Sequence, residues 1–281
     1  MIPSASAMVR IDLGQYKPSQ EKAVRVRSLT FRARSGIRKH AIGIRHLWWR
    51  RVRAPIDGAY WRLWGEGSWV GDRWLTRRSV VAAMPAETRL YVPPRELQKV
   101  VRVPKGGRRR RYFLPGDWDL HATPLEDHQR YLFMKDIWQH RDDLTRSKTY
   151  EGWFAQAVAG RPKTVKSKGL SLENEELIVS YLNSQLDLFL SIKKEGVRTD
   201  LAPDEINVAI GRNGELLKAN GGRKRTMAAY ILGLDSMPVR IAYIHRDYWQ
   251  SFRTRHPGQS RKNALVDLLS HFKSCCGARS A

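Results

Sequence analysis

The sequence predicts an α+β protein, with a small mixed sheet and helices in its C-terminal half. A helical segment precedes the sheet, and a basic, Trp-rich N-terminal region precedes that. Three observations predict this. Ile206, Val208 and Ile210 alternate with Asn207 and Ala209, and Val239, Ile241 and Tyr243 alternate further on, the period of half-buried strands. Asn213-Gly214 follows the first run and is the strongest short hairpin signal. Ahead of both, Leu177, Val179, Leu182, Leu186, Phe189 and Ile192 recur at the spacing of a long core-facing helix.

The chain has 281 residues, enough for two modest domains or one with extensions, and 42% are hydrophobic, enough for a true core. The formal net charge is +24 and the isoelectric point about 10.5. So one-sided a charge points to a polyanionic partner: DNA or RNA first, an anionic membrane or acidic polysaccharide next. The two cysteines, Cys275 and Cys276, are adjacent, which makes neither a disulfide framework nor a zinc site. A reducing, cytoplasmic setting is expected. No apolar run reaches the length of a transmembrane helix. The first residues have no apolar stretch of the kind that marks a cleaved secretory signal.

In chain order, residues 1–23 read as a flexible arm and residues 24–111 as a basic Arg/Trp-rich region. The latter holds Trp48, Trp49, Trp61, Trp64, Trp69 and Trp74 with arginines between them, including Arg50 and Arg51. Interleaved rings and cations suit single-stranded nucleic acid, a membrane interface, or a small Trp core covered by arginine stems. A strand or two is expected at 80–92, and a short helix or strand at 96–103. Residues 105–111 form a glycine-basic cluster with Arg108, Arg109, Arg110 and Arg111, read either as a solvated loop or as a phosphate-neutralising patch. Residues 112–200 form the helical segment. Pro115-Gly116 marks a turn, Asp119 reads as a helix cap, and amphipathic helices are expected at 125–138 and 150–158. Ser171 and Asn174 begin the long helix, and Lys193-Lys194-Glu195-Gly196 ends it. The core spans 201–255, and an amphipathic helix at 263–272 lies within the C-terminal segment 256–281.

Within the core, 215–219 is expected to return antiparallel to the first strand, with positive φ at both Asn213 and Gly214. Asn220-Gly221-Gly222-Arg223-Lys224-Arg225 then leads into a helix at 226–234. Pro238 opens the last strand, which lies beside the first, giving β-β-α-β. A glycine pair and three cations at a helix start are the physical recipe for holding a phosphate, through exposed N–H groups and the positive helix end. The same residues also read as a plain helix start with solvated cations.

Gly222, Arg225, Ala228, Ala229, Gly233, Leu234, Pro238 and Val239 stand in an order that resembles the ParB/sulfiredoxin superfamily. Gly116-Asp117-Trp118-Asp119, Trp138, Thr149-Tyr150, His245 and Trp249 resemble, more narrowly, a group of ParB-like proteins of prokaryotes and their viruses. The resemblance covers roughly residues 112–250. It implies a ParB/sulfiredoxin-like fold and a loop that binds the phosphates of ATP or CTP, with Mg2+. Arg225 is then the first phosphate contact, assisted by Arg223, Lys224 and the N–H groups of Gly221 and Gly222. Arg223 and Lys224 stand where sulfiredoxin has its catalytic Cys and the following His, so sulfinic acid reduction is not implied. A phosphotransferase or nucleoside triphosphatase would need a carboxylate or histidine nearby. The candidates are Asp204, Glu205, Asp117, Asp119 and His245, each of which also reads as a structural residue. The alternative is a nucleic-acid-binding protein whose ParB-like core is regulatory or inert.

Overall fold

The computed structural model describes residues 54–65, 72, 75–103, 111–165, 169–198 and 205–277, all within one compact unit, Arg53–Ala281. Arg50, Arg51, Arg108, Arg109, Arg110 and Asp204, with Trp48, Trp49, Trp69 and Trp74, lie outside the described residues.

The fold is α+β, built on a mixed seven-stranded sheet. The strands are β1 (Arg89–Val92), β2 (Lys99–Val100), β3 (Phe113–Leu114), β4 (Thr123–Pro124), β7 (Asn207–Ile210), β8 (Leu216–Lys218) and β9 (Met237–His245). Their order is β1-β9-β7-β8-β2-β4, with β3 alongside the C-terminal end of β9. A separate two-stranded hairpin joins β5 (Lys163–Val165) to β6 (Leu170–Leu172). Strand β7 runs antiparallel to β8 and parallel to β9. The connection from β8 to β9 passes through a helix at Arg223–Ile231, so the β-β-α-β order read from the sequence is present.

Two details differ from the sequence reading. All four residues of β7 are buried, not alternate ones, because apolar groups cover both faces of the sheet. Val208, Ile210 and Ile241 face the main core, whereas Ala209, Leu217 and Tyr243 face a smaller one with Val101, Val103 and Trp118. A bulge in β9 sets Val208 beside Ile241 but Ala209 beside Tyr243, leaving Ala242 as the extra residue. The hairpin loop also has three residues, Arg212, Asn213 and Gly214. Gly214 N–H donates to Gly211 O at 3.1 Å and Gly211 N–H to Glu215 O at 2.9 Å. Gly214 has φ 85°, and no non-glycine described residue has positive φ, so the turn is not the two-residue kind expected from Asn-Gly.

The helices are α1 (Ala54–Gly65), α2 (Arg77–Ala83), α3 (Gln129–Gln139), α4 (Lys148–Val158), α5 (Glu175–Glu195), α6 (Arg223–Ile231), α7 (Arg246–Arg255) and α8 (Arg261–Gly277). At α2 the structure corrects the strand expected from residue 80. Thr76 and Ser79 form a reciprocal capping box, each side chain accepting the other's backbone N–H, and this local pairing overrides the β preference of the two valines. Strand β1 begins later, at Arg89. The long helix matches its expected signals: Asn174 caps α5 by accepting Leu177 N–H at 2.9 Å, and Gly196, φ 70°, ends it.

The sheet crosses the segment boundary expected at residue 111. Strands β1 and β2 belong to it, and Trp64 packs 6.1 Å from Trp249. The indole N–H groups of Trp64 and Trp249 each donate to the Asp72 carboxylate at 2.8 Å, and Phe113 stacks on Trp249 at 4.6 Å. For Trp64, the core reading of the tryptophans holds. Among the described residues no helix is long and apolar enough to cross a membrane. Trp249→Ala would remove this fully buried ring and orphan one Asp72 oxygen. A stability loss of about 3–5 kcal/mol is expected, read as a lower urea midpoint.

Candidate functional site

The glycine loop lies where β8 hands over to α6. Gly221 and Gly222 have φ of 94° and 60°, a region that favours glycine. Space also forbids a side chain. A Cβ on Gly221 would stand 2.5 Å from Asn207 Nδ2, and one on Gly222 would stand 2.6 Å from Ile206 Cγ1. The loop is thus pressed onto the residues entering β7. Asn207 holds it there, with Nδ2 donating to Asn220 O at 2.7 Å while Oδ1 accepts from Arg77 at 2.8 Å.

Beneath the loop sits Lys218, with no exposed surface. Its ammonium donates to three backbone carbonyls: Asn207 at 3.1 Å, Ala219 at 2.6 Å and Gly221 at 2.5 Å. Three donors meet three acceptors, which fixes the backbone immediately before α6. The first bond of that helix runs from Thr226 N–H to Gly222 O at 3.0 Å. Arg223, Lys224 and Arg225 therefore form its first turn, three residues earlier than the expected start at 226. The positive end of the helix opens beside them.

A cleft of about 580 Å³ lies over this turn, lined by Arg130, Arg223, Lys224, Arg225, Leu188, Asn220 and both glycines, with no carboxylate among the described residues. Arg223 NH2 donates to Asn220 Oδ1 at 2.8 Å, but its buried Nε has no acceptor. Burial pushes the Arg223 pKa down, and the nearby charges of Arg102 and Arg130 push the same way. His128 is likewise held below the usual imidazole range, by burial first and then by Arg223, Arg130, Arg102 and Lys218. Its Nδ1 accepts Arg130 N–H at 3.0 Å and so caps α3 in neutral form. Like charges drawn together favour an anion at their focus.

The expected phosphate ligands divide. Arg223 has the orphaned donor. Lys224 is drawn to the wall by α5, bonding Gln185 Oε1 and, at 3.3 Å, the Tyr181 hydroxyl, with its ammonium 5.4 Å from the Tyr181 ring centre. Arg225 lines the cleft but is only 9% exposed, and its guanidinium donates to Arg198 O at 3.3 Å. Both arginines line the cleft, Arg225 held by the Arg198 carbonyl and Arg223 with the orphaned donor. Lys218, Asn207, His128, Arg130 and Arg102 were not read as site residues. Lys218 had one visible signal, a lysine inside a strand two residues before Asn-Gly-Gly. The others reach the loop through tertiary packing that no local pattern reveals.

The described acid–base candidates are engaged elsewhere. Glu205 bonds Arg240 at 2.7 and 2.5 Å, neutralising a guanidinium that also donates to Pro85 O and Thr88 Oγ1. Burial would raise the Glu205 pKa, but the Arg240 bonds, with Arg77 and Arg89 nearby, hold it below the ordinary range. His245 is fully buried. Its Nε2 lies 2.8 Å from Gly116 O and its Nδ1 accepts Asp247 N–H at 3.2 Å, capping α7. It also stands at the far end of the sheet, since the loop touches Asn207 whereas Ile244 pairs with Ile210. Asp119 grips Arg212, accepting from Nε at 2.9 Å, NH2 at 2.9 Å and the backbone N–H at 2.9 Å, and Asp117 accepts from the same NH2 at 2.7 Å. Residues 116–119 are therefore a clasp on the β7–β8 hairpin, and Asp119 does not cap a helix. Arg111 is exposed, its backbone bridged to Thr76.

The residues present fit phosphates. Among the described residues the cleft lining supplies no carboxylate for Mg2+, and no group of three His, Cys, Asp or Glu is placed to hold a metal. Comparison with protein-family models, curated proteins and solved structures finds no match.

Two outcomes follow. Gly222→Ala is expected to disorder the loop and lower stability by about 1–2 kcal/mol, read by denaturant titration together with faster amide exchange at 219–226. The Asp119 carboxyl sits below its usual pKa, because burial, which raises it, is outweighed by the Arg212 bonds and by His245. Its contribution is complete above the unfolded carboxylate value, about 3.9, and is lost as pH falls through the lower folded value. Asp119→Asn should therefore be less stable at neutral pH and lose less stability on acidification than wild type, read as urea midpoints across a pH series.

Proposed function

We propose that this protein binds nucleotides through a ParB/sulfiredoxin-like core, holding the phosphates of ATP or CTP at the 220–225 loop. One observation carries the reading. Among the described residues, a cleft with four cations and no carboxylate lies over a glycine-pair helix start, and the Nε of Arg223, one of its lining residues, is buried without an acceptor. A small turn of the Arg223 side chain toward a bound phosphate oxygen would supply that acceptor. The β-β-α-β order around the loop supports the same reading, because it is the order in which the superfamily resemblance was seen.

The chain's own residues then act as follows. The loop backbone and the start of α6 receive the phosphates, Lys218 fixes the loop from beneath, and Arg223 and Arg130 neutralise charge. Mg2+, if bound, is carried on the phosphate oxygens. Glu205 and His245 are occupied structurally, so the proposal is of binding, and a phosphotransferase or triphosphatase reaction would draw its base from elsewhere. The net charge of +24 favours a second reading, a nucleic-acid-binding protein in which the core regulates or is inert.

Calorimetric titration with ATP, CTP and GTP, each with Mg2+, tests the proposal on protein freed of nucleic acid at high salt. One nucleotide is expected to bind, with affinity reduced about tenfold or more in Arg223→Ala, the loss of a charge-assisted bond. Affinity unchanged in that variant would contradict it. Arg225→Ala is expected to lower the melting temperature, because it frees the chain after α5 as well as altering the cleft.

A further inference from the structure

We infer that the groove leading away from the glycine loop, along α3, α4 and the β5–β6 hairpin, binds single-stranded nucleic acid. The inference stands without a nucleotide on the loop. The groove measures about 1650 Å³, beyond the roughly 300–1,000 Å³ of a small-molecule pocket, so its occupant is extended. Seven lysines and arginines line it against two carboxylates, Asp127 and Asp136. Asp136 is engaged, accepting Thr149 N–H at 2.8 Å and facing His140 Nδ1 at 3.2 Å.

Aromatic rings run through the same groove. Phe133 and Trp153 stack at 5.5 Å, and Trp153 stands 5.8 Å from Tyr181. Arg130 lies over Phe133 at 5.7 Å. Phe133 and Trp153 are half-buried: they pack against the core and also line the groove, and Tyr181 beside them is buried. The half-buried Phe133 and Trp153, with cations around them, match a polynucleotide whose bases are unpaired, a base stacking while its phosphate meets a cation. A duplex keeps its base faces hidden, and an acidic peptide has no face to stack.

The test is fluorescence anisotropy of a labelled oligothymidine of about 12 nucleotides with the full chain. Lys135 and Lys148 are exposed groove residues, so Lys135→Glu/Lys148→Glu leaves the fold intact. The control pair Arg255→Glu/Lys273→Glu makes the same charge change at exposed positions outside the groove. The groove pair is expected to weaken binding at least tenfold more than the control pair and to lower the salt slope by about 1.4, two single-strand phosphate contacts. Trp153→Ala is expected to weaken binding about tenfold or more. A duplex of equal length and polyglutamate should both bind more weakly than the oligothymidine. Equal losses in the two charge-reversal pairs, no effect of Trp153→Ala, or equal affinity for duplex or polyglutamate would overturn the inference. ATP titrated into the same variants reads the loop separately. The groove pair should retain nucleotide affinity, so a failure of the groove and a failure of the loop are distinguishable.

Discussion

One buried ammonium organises the region where strand, loop and helix meet. Burying an unpaired charge costs several kcal/mol even after relaxation, so Lys218 can sit beneath the sheet end only if its donors are met. Asn207, Ala219 and Gly221 meet them with backbone carbonyls. That requirement draws the loop back over the entry to β7, where only glycines fit at 221 and 222. The same turn fixes where α6 begins, and hence that Arg223 and Lys224 fall in its first turn, at the cleft. If Lys218 were shorter or uncharged, the loop would lose the bonds that shape it.

The other charges show a division of labour. Acidic residues secure the frame: Glu205 neutralises Arg240 beside β1 and β9, Asp119 and Asp117 hold Arg212 at the hairpin, and Asp72 joins the indoles of Trp64 and Trp249. Cations outnumber acids around the glycine loop and along the groove, where eight described lysines and arginines stand with Asp127 and Asp136. Nearby like charges are unfavourable, and an arriving polyanion relieves them.

Local signals revealed much of the core. Asn174 and Gly196 bracket the long helix, alternating residues mark β7 and β9, and the glycine pair marks the loop. Apart from Val80, where a local pairing overrides the strand signal, the misses share a cause, interactions between residues far apart in sequence. Val80 reads as strand until the capping box of Thr76 and Ser79 is counted. His245 reads as an acid–base candidate until Gly116, far earlier in the chain, is found against it. Arg223 and Arg225 are two residues apart with similar chemistry, and only the packing of Arg225 against the Arg198 carbonyl separates them. Arg130 and His128 reach the cleft through the docking of α3 on α6, which periodicity does not encode.

Amide hydrogen exchange across 219–226, measured with and without excess pyrophosphate, tests the anion-holding loop most directly, since it reports the backbone itself. Slower exchange of these amides with pyrophosphate, absent in Arg223→Ala, is the expected result. Exchange at 219–226 that pyrophosphate leaves unchanged would contradict the assignment of the loop as a phosphate site.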